Sequence, residues 1–162
     1  MSLILNTTKM ANKYISFSIA ITFMSFIVGM AVNAFLKKTE IYNRKLSNLN
    51  FIKSEQLNKW FGVGIVKWIV KNTPFKYFNQ KLKLKNKIEK NDLQILRGEM
   101  TSSEIEHLIG FVFVTVFALV KCYKTEWLFG LTMMVVNIFM NLHPSLIQQQ
   151  NKRRIDKFLK KI

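Results

Sequence analysis

Residues 99–120 read EMTSSEIEHLIGFVFVTVFALV, in which three carboxylates and one of the chain's two histidines stand directly before an apolar run. From Ile105 to Val120 the only polar residues are Glu106, His107 and Thr115. A soluble helix returns a polar residue every turn, so a run of this length predicts a membrane span over about 104–120. Thr101 or Ser103 offers it a start, because Glu104 or Glu106 follows at the capping-box spacing. Glu104 and His107 are three apart and share one face of a helix. Ionisable groups where a helix enters lipid are costly, which makes this stretch the candidate site.

Lys121 to Glu126 is too short to be anything but a hairpin between antiparallel helices. A second span follows over 127–147, polar only in its latter half, where Asn137 and Asn141 are four apart and Pro144 and Gln148 continue the row. Toward the N-terminus, Tyr14 to Leu36 carries no charge and is long enough for a helix of about 30 Å, the thickness of the hydrocarbon core. A cleavable signal peptide is the rival reading of that run, since Lys9 and Lys13 precede it and Val32-Asn33-Ala34 resembles a cleavage site. Its apolar part exceeds the ordinary 7–15 residues of a signal, and further spans follow.

Between the first two spans, residues 37–103 hold fifteen Lys/Arg against five Asp/Glu and belong outside the hydrocarbon. Trp60 to Val70 is an apolar exception of about half a membrane thickness. It predicts an interfacial or re-entrant helix, with Trp60 and Trp68 at headgroup level; the alternative is a packed helix of a small cytosolic subdomain. The lysines from Lys76 to Lys90 suit anionic lipid or simply a solvated helix. The tail from Gln149 to Ile162 adds six Lys/Arg. The expected fold is therefore an all-α integral membrane protein, a single membrane domain over 1–162. It has about three transmembrane helices, an interfacial or re-entrant helix in a basic cytosolic segment, and a basic C-terminal tail over 148–162. Positive charge on the inner side puts the N-terminus outside the cell membrane and the C-terminus in the cytosol.

The formal charge of +16 is mostly lysine, with only four arginines, and no nucleic-acid-binding motif accompanies it. Membrane lipids are the expected partners, and nucleic acid is not. One cysteine, Cys122, excludes an intramolecular disulfide framework and a Cys-rich zinc site. A Glu-x-x-His pair is half of a di-iron carboxylate site, but no second pair is present. The only plausible metal ligands are Glu99, Glu104, His107 and His143, and no metal is expected.

The antiparallel return of the last span brings Glu104 and His107 to the level of Asn141, His143 and Gln148, with Arg153 and Arg154 nearby. Such a set suits general base chemistry, with a histidine taking a proton from a hydroxyl and amides stabilising an oxyanion. Singly, each residue has a plainer role: Glu104 and Glu106 as helix-start caps, His107 as an interfacial anchor, and the asparagines as hydrogen-bonded glue between helices.

Glu99 to His107 has Glu-x4-Glu-x2-His spacing, and Asn141-Leu142-His143-Pro144 through Gln148, Asn151, Lys152, Arg153, Arg154 and Ile155 forms a second block. Together with Lys67-Trp68 and Pro74-Phe75, these resemble the glycosyl-4,4'-diaponeurosporenoate acyltransferases, small bacterial membrane proteins, over roughly 58–156. The chain departs from that pattern at Thr101-Ser102-Ser103, where the family has paired arginines, and at Gln148-Gln149-Gln150-Asn151. The resemblance implies acyl transfer to a sugar hydroxyl of a glycosylated carotenoid or another lipid-borne substrate, in carotenoid biosynthesis. It places Glu99, Glu104, His107, Asn141, Gln148, Asn151 and Arg154 at motif positions. On this reading His107 is the base and Glu104 orients it. Asn141 or Gln148 binds the oxyanion, and Arg154 holds the anionic part of the donor. The co-substrate is an acyl donor such as acyl-CoA or an acyl lipid, with no other cofactor. The rival expectation is a non-catalytic membrane subunit whose polar row fixes helix packing.

Overall fold

The computed structural model describes residues 2–51, 64, 72 and 90–160. The expected interfacial helix and most of the lysine-rich segment lie outside the described residues. Every regular element among the described residues is helical: α1 (Ser2–Leu36), α2 (Glu40–Arg44), a 3₁₀ turn (Leu46–Asn48), α3 (Lys90–Tyr123), α4 (Trp127–Asn137), a π-helical turn (Ile138–Leu142) and α5 (His143–Leu159). Three stretches are long and apolar enough to cross a membrane: Leu5–Leu36, Lys90–Tyr123 and Trp127–Leu159. These enclose the three spans predicted from the sequence and extend beyond each of them.

The residues fall into two compact units, one made of 1–38 with 105–144, the other of 39–104 with 145–162. In the first unit the usual arrangement of a soluble core is reversed. Ser18, Thr22, Ser25 and Asn33 on α1, with Asn137 and Asn141, are all 0% exposed. Phe23, Met24, Ile27, Val112, Val116, Leu128, Leu131 and Phe139 face outward. An apolar exterior around a polar interior is stable only where the surrounding solvent is itself apolar, which is the bilayer. The apolar part of the interior is Ile21, Val114, Ala118, Phe129 and Met133. Tyr14 stacks on Phe129 with ring centroids 4.4 Å apart.

Small residues let these helices approach closely. A Cβ at Gly29 of α1 would collide with the Glu106 carbonyl of α3, and one at Gly130 of α4 with the Cys122 sulfur and the Ala118 carbonyl. Backbone cannot yield as a flexible side-chain end can. Gly29→Val is accordingly expected to separate α1 from α3 and to lower the amount of folded protein in membranes, whereas the same change at Gly98, which has open space around it, leaves the level unchanged.

The hairpin ends α3 with a Schellman motif, in which Glu126 N–H donates to the Lys121 carbonyl at 3.0 Å and Thr125 N–H to that of Cys122 at 3.0 Å. The motif requires a left-handed residue, and Thr125 occupies it at φ 63°. Lys121 Nζ closes the turn onto Glu126 at 3.1 Å. A β-branched residue in this conformation costs about 1–2 kcal/mol relative to glycine. Thr125→Gly is expected to raise thermal stability in detergent by about that amount.

In the second unit the first part of α3 lies antiparallel to α5. Leu93 and Leu96 pack on Ile155, flanked by Met100 and Leu159. Arg97 Nε meets Asp156 at 2.5 Å, and Arg97 Nη2 reaches Asn48 at 3.4 Å. Thr39 caps α2 by accepting from Tyr42 N–H. This packing corrects the expected start of the helix that carries the second span. Leu93, Leu96 and Met100 recur at helical spacing, so α3 is already formed from Lys90, and Thr101 and Ser103 sit in its interior. The Thr101 hydroxyl donates back to the Arg97 carbonyl at 2.9 Å, the ordinary satisfaction of a mid-helix threonine.

Candidate functional site

The polar interior of the first unit is a connected network. It starts at the carbonyl of Phe111 on α3, which accepts from Asn137 Nδ2 at 2.9 Å and from the Thr115 hydroxyl at 2.7 Å. The Asn137 amide also donates to Thr115 Oγ1 at 3.2 Å, and its oxygen accepts from Asn141 Nδ2 at 2.9 Å. Asn141 Nδ2 donates in addition to Ser25 Oγ at 3.1 Å, while Ser25 donates to the Thr22 carbonyl at 2.7 Å. Asn141 Oδ1 then faces His107 Nδ1 at 3.5 Å. Phe26 stands edge-on to the imidazole, with centroids 5.5 Å apart.

The turn that delivers Asn141 is π-helical because the chain continues into Pro144. Proline has no N–H to donate to the preceding turn and its ring crowds the carbonyl there; a π-bulge accommodates this. His143 N–H donates to Ile138 O across the wider turn, and its Nδ1 lies 3.0 Å from the same carbonyl. His143 thus serves the backbone of the bulge.

Glu106, which the sequence offered as a cap, receives Asn33 Nδ2 at 2.9 Å on Oε1. Together with the close approach at Gly29, this bond ties α1 to α3.

In the second unit Glu104 is 0% exposed, and its two carboxylate oxygens accept from Gln149 Nε2 at 2.9 Å and Lys152 Nζ at 2.6 Å. Lys152 also donates to the Ser47 carbonyl at 3.3 Å. Arg153 donates to Asn50 at 2.7 Å. Beside this cluster on α5, Ser145 Oγ and Gln148 Oε1 are buried with no hydrogen-bond partner among the described residues. Glu99 and Arg154 are exposed, and Asn151 is half-buried.

The expected site is therefore rearranged at the level of partners. His107 meets Asn141, as one reading of the spacing allowed. Glu104, expected to orient His107, has an amide and an ammonium on its oxygens instead. Both N–H groups of Asn141 are taken by Asn137 and Ser25, so in this geometry Asn141 offers no donor to an oxyanion. The sequence reading missed Ser25, Gln149 and Lys152. Gln149 lies one residue from the expected Gln148, on the face that Lys152 shares at i+3. Lys152 stands in a basic tail from which the sequence reading brings only Arg153 and Arg154 near the site, the other cations serving membrane topology. Among the described residues no group of three or more His, Cys, Asp or Glu is gathered as a metal ion requires.

Three apolar helices with a hydrogen-bonded polar interior define a multi-pass helical membrane protein. The model of the glycosyl-4,4'-diaponeurosporenoate acyltransferase family matches residues 38–161, and the chain belongs to that family. No curated protein and no solved structure matches.

Proposed function

We propose that this protein transfers an acyl group to a hydroxyl of a glycosylated carotenoid, glycosyl-4,4'-diaponeurosporenoate or a related lipid-borne glycoside, at the cytosolic side of the membrane. The observation that carries the reading is the family match over 38–161, which includes both motif blocks and His107.

The chemistry assigned to the residues is an acyl substitution. The acceptor hydroxyl oxygen attacks the acyl carbonyl carbon while His107 Nε2 takes the hydroxyl proton. The bond from that carbon to the donor's leaving group then breaks, and the proton passes to the leaving group. The donor, an acyl thioester or acyl lipid, is a co-substrate, and no separate cofactor enters the step. Gln148 is kept as the amide assigned to the oxyanion, since both N–H groups of Asn141 are already used. Arg154, exposed on α5, is assigned to the anionic part of the donor.

Charge supports an orientation with the N-terminus outside and the C-terminus in the cytosol. The test is direct: membranes containing the protein, given glycosyl-4,4'-diaponeurosporenoate and either acyl-CoA or endogenous acyl lipid, should yield a product heavier by one acyl group. Recovery of only the starting glycoside with both donors counts against the reading.

The fully satisfied Asn137–Asn141–Ser25 network favours one other reading, a non-catalytic subunit in which these bonds only hold helices together. In that case His107→Phe and Asn141→Leu lower protein level together, and no acyl product exists to be lost.

A further inference from the structure

The hydrogen-bond network of the first unit fixes more than helix packing, because its donors and acceptors can be counted from one end. A backbone carbonyl only accepts. Phe111 O therefore requires Asn137 to present its NH₂, and the second N–H of that group goes to Thr115 Oγ1, whose own proton is already committed to Phe111 O. Asn137 Oδ1 can then only accept, which turns the NH₂ of Asn141 toward it. The second N–H of Asn141 meets Ser25 Oγ, whose proton is committed to Thr22 O. All four amide N–H groups are used, and the remaining polar atom, Asn141 Oδ1, faces His107 Nδ1.

From this parity we infer that Asn137 and Asn141 are positioning residues that hold neutral His107 in the Nδ1–H tautomer and leave Nε2 as its unprotonated, proton-accepting nitrogen. A second ring nitrogen anchored by an outer partner is the usual way a protein sets the tautomer of a functional histidine. Gly110 makes room for the arrangement. A Cβ there would stand 2.8 Å from Asn141 Oδ1 and 3.0 Å from Ser25 Oγ. Ser25, on α1 and outside residues 38–161, accepts the second Asn141 N–H, so this helix joins the network without setting the tautomer.

The inference rests on the acyl-transfer reading only for what Nε2 then does; the tautomer itself is independent of any substrate. It is tested on the full chain in lipid, labelled with ¹⁵N-histidine, by long-range proton–nitrogen correlation at a pH where imidazole is neutral. With two histidines in the chain, His143→Gln assigns the spectrum. The expected result is a pyrrole-type nitrogen at Nδ1 of His107 and a pyridine-type nitrogen at Nε2. Asn137→Leu, which frees the Asn141 amide to turn, should move His107 to a mixture of the two tautomers, while Ser25→Ala, which keeps the Asn137 arm, should not. Nε2–H in the unsubstituted protein overturns the inference whether or not Asn137→Leu folds. An unchanged spectrum in folded Asn137→Leu overturns the relay. Because no substrate is present, failure of acyl transfer with Nδ1–H observed would count against the proposed function alone.

Discussion

His107→Ala is expected to lower acyl transfer by about 10²–10⁴-fold, the usual contribution of a positioned general base, without loss of membrane insertion or helicity. The imidazole is half-buried, and among the described residues it meets the Asn141 amide at 3.5 Å and the Phe26 ring in a T-shaped contact. Its removal therefore opens a small gap while leaving the Asn137–Asn141–Ser25 bonds in place. Asn141 Oδ1 loses a donor, a cost of about 1–3 kcal/mol, which the remaining packing of three long helices can absorb. Product formation in membranes, normalised to the amount of inserted protein and to its circular dichroism, separates the two effects. Activity within threefold of the unsubstituted protein removes His107 from the chemistry.

The second large effect is on stability. Lys152→Met leaves the Glu104 carboxylate fully buried with only Gln149 opposite, and breaking a buried pair from one side costs about 3–5 kcal/mol. Glu104→Leu with Lys152 retained strands an ammonium in the same place and should be of similar severity. Removing both charges in Glu104→Leu/Lys152→Met is expected to recover most of the loss, because two buried ions also carry their desolvation. Thermal unfolding in detergent of the two single variants and the double measures this. Single-variant losses that simply add in the double would mean that Glu104 and Lys152 do not act as a pair.

Much of the fold was legible because the bilayer imposes a simple rule, that a spanning helix needs a long apolar run and backbone bonds satisfied within itself. Tyr14–Leu36, Ile105–Val120 and Trp127–Ile147 each met it. The start of α3 was misread because Thr101, Ser103, Glu104 and Glu106 carry the spacing of a helix cap. The competing signal of Leu93, Leu96 and Met100 depends on partners at Ile155 and Leu159, some 60 residues away in sequence. A separation of 48 residues likewise hid the charged partner of Glu104. A carboxylate one turn from a histidine suggests a local pair, yet Lys152 supplies an opposite charge and Gln149 a second donor. His107 with Asn141 was legible because the Lys121–Glu126 hairpin fixes the antiparallel register. The role of Ser25 was not, since a small hydroxyl residue in an apolar run usually satisfies itself on its own helix, as Ser18 does with Tyr14 O.

We propose above that this member of the glycosyl-4,4'-diaponeurosporenoate acyltransferase family acylates a membrane-borne glycoside. Its most direct test is the mass comparison of lipid extracts from cells producing the glycosylated carotenoid with the unsubstituted chain, with His107→Ala, or with no chain. An acylated glycoside is expected in the first extract alone, with the free glycoside accumulating in the other two. The same lipid masses in all three, with the protein inserted and folded, would contradict it.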